Sequence, residues 1–287
     1  MSSAESKIHF SLVLACYNEE RLLMQSVQDI VSILCAVPYT CELIFVDDFS
    51  QDGTRKIINH IVEKFRAQLP IQVLLHDKNM GRGGSVRDGF MAAKGERVGY
   101  IDVDLEIAPH YLFPCLLALD RGYDGVVGKR IYKFKWRSLD RYVMSKGYSW
   151  LVWRLLQLSG LTDTESGFKL FKRSKILPLI SKCQEEGWFW DTEIMALALQ
   201  DGLKIQEIPC LFIRRFDKVS SVKPFRDVID YFCKLIKFKR RWKPLQSSES
   251  PQPSGRGDSQ SQKGVEGEAP AALPLEGALP APINRAC

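Results

Sequence analysis

Strand-like and helix-like segments alternate through the first 120 residues, and this alternation restricts the possible folds more than any other feature of the sequence. Apolar runs at residues 8–16, 41–46, 71–75 and 97–101 have the near-continuous hydrophobicity of strands that are buried on both faces. Apolar residues at helical spacing follow these runs. The pattern predicts a doubly wound α/β half in which right-handed helical crossovers join parallel strands.

Polar clusters follow the predicted strands, and ligands of open α/β sheets bind at the carboxyl ends of strands. The clusters are Tyr17-Asn18-Glu19-Glu20, Asp47-Asp48, residues 79–84, and an acidic triplet of Asp102, Asp104 and Glu106. We therefore expect the functional site at the carboxyl edge of the sheet. The glycine-rich residues 81–84 allow two interpretations, a helix start whose N–H groups bind phosphate or a plain tight turn.

The acidic triplet occupies alternate positions directly after the fourth predicted strand. Alternate residues of a strand face the same side, so the three carboxylates would converge if the extended geometry continued past the strand end. Converging carboxylates need a compensating cation, and their hard oxygen atoms suit Mg²⁺ or Mn²⁺. A solvated strand-to-loop turn is the alternative.

The second half of the chain has a different pattern. Short strands are predicted at residues 125–128, 168–171 and within 204–213, a long helix over about 139–158, and a basic amphipathic helix from Pro224. The 42 residues from 246 onward contain six of the 14 prolines and no aromatic residue, which predicts a disordered tail. This tail carries three basic and five acidic side chains, which leaves a charge of +8 on the rest of the chain, against +6 overall.

Composition narrows the class of protein. No run approaches 18 uninterrupted apolar residues, so no transmembrane helix is expected, and the polar N-terminus does not resemble a secretory signal. The 8 cysteines form no C-x-x-C pair, which favours thiols in a reducing compartment over a disulfide framework or a zinc site. We expect a cytosolic protein without a nucleic-acid partner.

Four motifs, in this order and spacing, resemble family-two glycosyltransferases of the GT-A fold. They are Tyr17-Asn18-Glu19, the segment from Val46 to Thr54 that contains Asp47-Asp48, Asn79-x-Gly81-x-Gly83, and Asp102-x-Asp104. Residues 163–171 and 189–193 resemble the branch of dolichyl-phosphate mannose synthases and dolichyl-phosphate glucosyltransferases. The resemblance covers residues 8 to 222 and implies an α/β GT-A sheet, mixed and flanked by helices.

The resemblance also implies roles for individual residues. The positions that match the nucleotide site are Ala15, Tyr17, Glu19, Val46, Asp48 and Asp102. The positions that match the metal and diphosphate site are Asp102, Asp104 and Glu106, and those that match the acceptor-phosphate site are Arg130, Arg141 and Ser145. Arg215 matches a residue near the leaving diphosphate, for which Arg214 could substitute, although Lys218 and Ser221 replace the family glycine and lysine of that segment.

The implied activity is inverting, Mg²⁺- or Mn²⁺-dependent transfer of mannose or glucose from a nucleoside diphosphate sugar to a polyprenyl phosphate. A lipid monophosphate, with a second pKa of about 6, is already anionic near pH 7 and needs cationic anchors more than a general base. A family-two enzyme with a hydroxyl acceptor would instead need a base, for which Asp163, Glu165 or Asp191 could serve. A non-catalytic subunit that binds nucleotide sugar is the third alternative.

The predicted organisation is a catalytic domain at residues 1–222, a basic amphipathic helix at 223–245 and the tail at 246–287. The basic and aromatic end of that helix, from Lys234 to Lys243, suits anionic lipid head groups. We therefore expect peripheral association with the cytoplasmic face of a membrane and a partner among membrane proteins. An ordinary packed helix with a solvated basic end is the alternative.

Overall fold

The computed structural model describes residues 7–132, 154–156, 161–214 and 224–241, with side chains of the last segment described from residue 231. All of these residues belong to the first of the two units into which the chain divides, Met1–Leu245. The predicted helix over 139–158 lies outside the described residues except for 154–156, and the predicted tail lies outside them entirely. The proposed domain boundaries stay a prediction.

The described residues form one seven-stranded sheet. Its strands are β1 (Phe10–Cys16), β2 (Cys41–Asp47), β3 (Ile71–Leu75), β4 (Arg97–Ile101), β5 (Gly125–Tyr132), β6 (Phe168–Lys172) and β7 (Ile205–Phe212). Their order is β3-β2-β1-β4-β6-β5-β7. Neighbours pair in parallel except at β6, which is antiparallel to both β4 and β5. The expected α/β architecture with a mixed sheet is confirmed.

Helices cover both faces of the sheet. They are α1 (Leu23–Ala36), α2 (Thr54–Phe65), α3 (Gly81–Ala92), α4 (Leu112–Asp120), α5 (Arg173–Ile180), α6 (Trp190–Gln200) and α7 (Pro224–Arg241), with a 3₁₀ turn at Pro109–Tyr111. Alternate residues of β1 divide between the two cores: Leu12 packs with α1, α2 and α4, and Val13 packs with α3, α5 and α6. Strands β1 and β2 are mostly apolar because both of their faces are buried.

Several strand boundaries differ from the prediction. Strand β1 begins at Phe10 instead of residue 8, and β2 and β6 each end one residue later than predicted. Of the one or two strands expected within residues 204–213, a single strand forms. Strand β5 runs four residues further than predicted, to Tyr132, because it pairs with β7 along its whole length up to the pair of Tyr132 with Phe212. The backbone pairing keeps the basic residues Lys129 and Arg130 extended, which the local composition did not indicate.

The antiparallel direction of β6 determines what surrounds the end of β4. Phe168, the first residue of β6, lies opposite Ile101, the last residue of β4. The polar segment at 163–167 therefore comes to the carboxyl edge of the sheet from the other direction. Its last residue, Gly167, lies against Asp102 at this edge.

Helix α7 packs on the α6 side of the molecule. Its Leu235 and Phe238 are buried in a cluster with Phe189 and other apolar residues, while Phe232 and Ile236 are 44% and 36% exposed. The predicted amphipathic helix is present, but two of its apolar side chains are on the surface. In the part of the chain that the structure describes, no helix has both the length and the hydrophobicity to span a bilayer.

Candidate functional site

The chain turns immediately after β4. Asp102 extends the pairing with β6 by one residue, since its N–H donates to the carbonyl oxygen of Gly167 at 3.1 Å. Leu105 then has a φ of 52°, and its N–H donates to the carbonyl oxygen of Asp102 at 3.2 Å. The extended geometry thus stops at Asp102. The condition for convergence through continued strand alternation is therefore not met, because the turn redirects the residues after Asp102.

The other two carboxylates of the triplet lie in and after this turn. Oδ1 of Asp104 accepts the N–H of Glu106 at 3.3 Å. Among the described residues, no group of three or more His, Cys, Asp or Glu side chains could hold a metal ion. Mg²⁺ usually takes one or two protein carboxylates and fills its other positions with water and substrate phosphates. The half-buried Asp102 and Asp104 fit that requirement, and the metal-binding roles of the triplet stay a prediction.

Asp102 is held by an arginine that sequence reasoning did not single out. Nε and Nη2 of Arg82 donate to Oδ1 of Asp102 at 3.1 and 2.6 Å. On the other side, Gly167 is so close that a Cβ there would lie 1.7 Å from Oδ2 of Asp102. A glycine is therefore required at this position for Asp102 to keep its orientation.

Behind Arg82 lies a buried network of alternating charges. Nη1 of Arg82 donates to Oδ2 of Asp191, and Oδ1 of Asp191 accepts hydrogen bonds from the Tyr100 hydroxyl and, at 2.6 Å, from Nζ of Lys169. Burial raises the pKa of Tyr100, and the charge of Asp191 adds to the shift. Burial would lower the pKa of Arg82, but Asp102 and Asp191 raise it well above its ordinary value. Asp191 is 3% exposed and engaged with three donors, so it is a poor general base.

The nucleotide-side residues lie at the ends of β1 and β2. Ala15 and Val46 are register partners in the two strands, and Val46 is fully buried. In the loop that follows β1, Tyr17 is 46% exposed, and the N–H of Glu19 donates to Oγ1 of Thr54 at 2.8 Å. The structure therefore brings these four predicted residues to one edge, next to Asp102. Their contacts with a nucleotide stay a prediction.

Asp48 is buried and connects β2 to the start of α3. Its carboxylate accepts the N–H groups of Met80 and Gly81 at 2.6 and 2.9 Å. Nδ1 of His76 lies 2.9 Å from Oδ1 of Asp48, while Nε2 faces Asp88 at 3.3 Å. No role was assigned to His76 from the sequence. His76 directly follows β3, so it lies at the same edge as the polar clusters, and this position could have indicated His76 as a site residue.

The glycine-rich start of α3 is packed against protein. The N–H of Gly81 donates to Asp48, and the N–H of Gly84 donates to the carbonyl oxygen of Glu186 at 3.0 Å. Gly83 lies so close to Trp190 that a Cβ would be 2.4 Å from the Trp190 Cβ. These contacts favour the tight-turn interpretation over an open phosphate site, because two of the N–H groups are already used.

A second arginine, Arg130, lies across the sheet edge, two residues before the end of β5. Nε and Nη2 of Arg130 donate to the two carboxylate oxygens of Asp163 at 2.8 and 2.7 Å. Glu165 follows at 3.7 Å from Nη2 of Arg130. Burial raises the pKa of Glu165 to about 7, although the charge of Arg130 opposes the shift. Burial would also raise the pKa of Asp163, but Arg130 holds the pKa of that carboxyl below its usual value.

Three predicted site residues, Arg141, Ser145 and Arg215, lie outside the described residues. Arg214 is described and exposed. Arg82 was missed although it stands between two glycines of a quoted motif. Its partners are 20 and 109 positions away in sequence, so no local pattern indicates them.

Comparison with known proteins identifies the family. The sequence model described as Glycosyl transferase family 2 matches residues 11–176. Glycosyltransferase AglD of Haloferax volcanii is 31% identical over 235 residues, which cover 80% of this chain and 37% of AglD. Dolichyl-phosphate beta-glucosyltransferase of Drosophila melanogaster is 30% identical over 221 residues, with 70% of this chain and 66% of that protein covered. The chain therefore spans less than two thirds of either relative.

The fold has solved counterparts. Glucosyl-3-phosphoglycerate synthase of Mycobacterium tuberculosis, in complex with Mn²⁺, uridine diphosphate and phosphoglyceric acid, has a TM-score of 0.60 at 20% identity. The superposition covers 85% of this chain and 82% of the synthase. The family match extends over more than half of the sequence and includes β1 to β6. The chain belongs to glycosyl transferase family 2.

Proposed function

We propose that the protein transfers a hexose, with inversion, from a nucleoside diphosphate sugar to a polyprenyl phosphate. The observation that carries this proposal is the place of Asp102 at the end of β4. The strand order puts β1 and β2, with Tyr17 and Asp48, on one side of Asp102. It puts β6 and β5, with Arg130, on the other side. A donor on the first side and an acceptor on the second would meet at Asp102.

The relatives support this substrate class. The Drosophila relative is named a dolichyl-phosphate beta-glucosyltransferase, and the mycobacterial synthase was solved with Mn²⁺ and uridine diphosphate. A polyprenyl phosphate would need no general base, since a phosphate that is already anionic can attack without one. Glucose is the sugar that these names favour.

The chemistry follows from the charges at the edge. Departure of a nucleoside diphosphate develops negative charge, which a divalent ion held by Asp102 and Asp104 would stabilise. Arg130, together with Arg141, would hold the acceptor phosphate, and Arg215 would contact the leaving diphosphate, because guanidinium groups match phosphate oxygens in pairs. A single in-line displacement at the anomeric carbon inverts its configuration.

A hydroxyl acceptor is the second candidate, and Glu165 favours it. A carboxylate with a pKa of about 7 is well matched to general-base catalysis near neutral pH. The two functions differ in the product, which is a glycolipid phosphate in one case and a glycoside of a water-soluble molecule in the other.

The transfer assay supplies radiolabelled UDP-glucose or GDP-mannose, Mn²⁺ and dolichyl phosphate, and counts label in the organic phase. We expect organic-phase product from the full chain with one of the two donors. Asp104→Ala should reduce turnover by at least about a hundredfold, because charge stabilisation of the leaving group is lost. Full activity of Asp104→Ala would refute the metal role, and label that stays in the aqueous product would favour the hydroxyl acceptor.

We also propose that α7 rests on the cytoplasmic face of a membrane, beside a membrane-protein partner. The exposed Phe232 and Ile236 lie on α7 together with the exposed basic residues Lys237, Lys239 and Arg240. An apolar ridge with cations suits anionic lipid surfaces. Flotation with vesicles containing 30 mol% phosphatidylserine, an amount on the order of an anionic membrane leaflet, should carry the protein upward at low salt. Equal flotation of a Lys237→Gln, Lys239→Gln, Arg240→Gln variant would contradict this docking.

A further inference from the structure

Arg82 is enclosed more completely than a surface ion pair would be. Its side chain is 12% exposed, and its guanidinium carbon lies 5.2 Å from the ring centroids of both Tyr100 and Trp188. Cations at this distance from aromatic faces are attracted by the ring quadrupole. Carboxylates of Asp102 and Asp191 engage the guanidinium edges. Rings and carboxylates together leave Arg82 a single orientation.

The support behind Arg82 is also fixed. Lys169 is fully buried, and its ammonium group donates to Asp191, to the Tyr100 hydroxyl at 2.9 Å and to the carbonyl oxygen of Ser166. Each of the three N–H groups of the ammonium therefore has an acceptor. A buried charge is tolerated when its hydrogen bonds are satisfied in this way. The Lys169–Asp191 pair therefore holds the inner end of Arg82 in place.

The network is not uniformly buried, and this asymmetry points to its purpose. The side chain of Asp191 is 3% exposed, whereas that of Asp102, at the other end of Arg82, is 42% exposed. Buried ion pairs are weak evidence for stability, since apolar side chains of similar size often stabilise as well. A chain of charges that runs from the interior and ends on a half-exposed carboxylate of the candidate donor site instead fixes the geometry of that carboxylate.

We propose that Arg82 is a positioning residue of the donor site: it holds Asp102 in the orientation that receives the nucleoside diphosphate, and Asp191 and Lys169 hold Arg82. The inference rests on the proposed donor role of Asp102. Hydrogen-bonded partners that orient a ligand-binding side chain typically contribute about 10–100-fold in affinity or activity. Arg82 should therefore act on donor binding and leave acceptor binding unchanged.

Arg82→Met and Arg82→Lys in the full chain test this role, with Arg87→Met as the matched control. Arg87 lies on the same helix but pairs with Asp88 and Glu186, away from Asp102. Calorimetric titration with UDP and with GDP, in Mn²⁺, first identifies the nucleotide that the wild type binds. We expect Arg82→Met to weaken that binding by about tenfold or more, Arg82→Lys to restore part of it, and Arg87→Met to bind as the wild type does.

Kinetics separates positioning from a purely structural effect. Positioning raises the KM for the donor and leaves the KM for polyprenyl phosphate unchanged, whereas general destabilisation lowers the thermal midpoint and affects both KM values. If Arg82→Met does not fold, the Arg82→Lys titration decides alone. Wild-type binding by the folded Arg82 variants would overturn the inference. Absence of nucleotide binding by the wild type would instead refute the proposed function, so the two failures are distinguishable.

Discussion

Two arginine–aspartate pairs flank the carboxyl edge of the sheet, and they are built differently. Arg82 contacts two carboxylates and two aromatic faces, and a buried lysine backs one of those carboxylates. Arg130 contacts Asp163 through two hydrogen bonds and lies 5.8 and 5.9 Å from the ring centroids of Tyr132 and Phe212. Two carboxylates and two aromatic rings thus surround the guanidinium of the first pair.

The second pair has a neighbour whose charge can change. Glu165 lies 3.7 Å from Arg130, and its pKa of about 7 means that the carboxyl is partly protonated near neutral pH. The net charge around Arg130 therefore varies with pH. We infer that the donor side is rigid by construction and that the acceptor side is adjustable.

Breaking the Arg130–Asp163 ion pair should lower the free energy of unfolding more than any other substitution considered below. Arg130→Met leaves the buried Asp163 without its guanidinium, and an uncompensated buried charge costs about 3 kcal/mol in the free energy of unfolding. Urea denaturation measures that loss. Arg82→Met should destabilise less, because Asp191 keeps Lys169 as a partner. An equal or larger loss for Arg82→Met would reverse the comparison.

A double variant separates stability from acceptor binding. Arg130→Met with Asp163→Leu removes both charges and should recover much of the stability, since replacing both partners is far less costly than orphaning one. If Arg130 holds the acceptor phosphate, the KM for polyprenyl phosphate stays raised in this variant. Recovery of both quantities would show that Arg130 has a structural role alone.

The contrast between the pairs also shows what the sequence could and could not predict. Strands β1 and β2 were predictable because buried parallel strands are continuous apolar runs, and residues 71–75 and 97–101 are also strands as expected. The insertion of β6 between β4 and β5 was not, because the order of strands depends on long-range pairing. The left-handed φ of Leu105 could not be predicted either, since non-glycine residues rarely adopt it.

The position of the candidate site was predictable in part. The strand pattern placed Tyr17, Asp48 and Asp102 at one edge because the carboxyl ends of the parallel strands lie there, and the family resemblance added Arg130. The partners of those residues were hidden, since His76, Arg82 and Asp163 are distant in sequence from the side chains that they hold. Periodicity locates a strand end, but the hydrogen bonds around it depend on the completed tertiary structure.

Gly167→Ala should cause the next largest loss of stability. This substitution tests whether the donor side is rigid. Its Cβ would overlap the Asp102 carboxylate, so Asp102 or β6 must move, at a cost of about 1–3 kcal/mol. We expect a lower thermal midpoint and weaker Mn²⁺-dependent nucleotide binding. Gly187→Ala is the control, because its nearest contact would be Nζ of Lys234 at 3.5 Å. Wild-type nucleotide binding by Gly167→Ala would show that Asp102 tolerates movement.

Glu165→Gln should cause the smallest change in stability. This substitution tests whether the charge on the acceptor side changes with pH. A carboxyl whose pKa is raised in the folded state binds its proton more tightly there, so stability falls as pH rises from the unfolded pKa of about 4.3 through about 7. Burial dominates the shift, Asp163 and Asp191 add to it, and Arg130 and Lys169 oppose it. Glutamine removes the titration, so Glu165→Gln should be more stable than the wild type at pH 8, by about 1–2 kcal/mol, and equal to it near pH 4.5. Urea denaturation across that range, with the exposed Glu63→Gln as control, measures the difference. A pH-independent difference would mean that Glu165 stays charged, and the charge around Arg130 would then not adjust with pH.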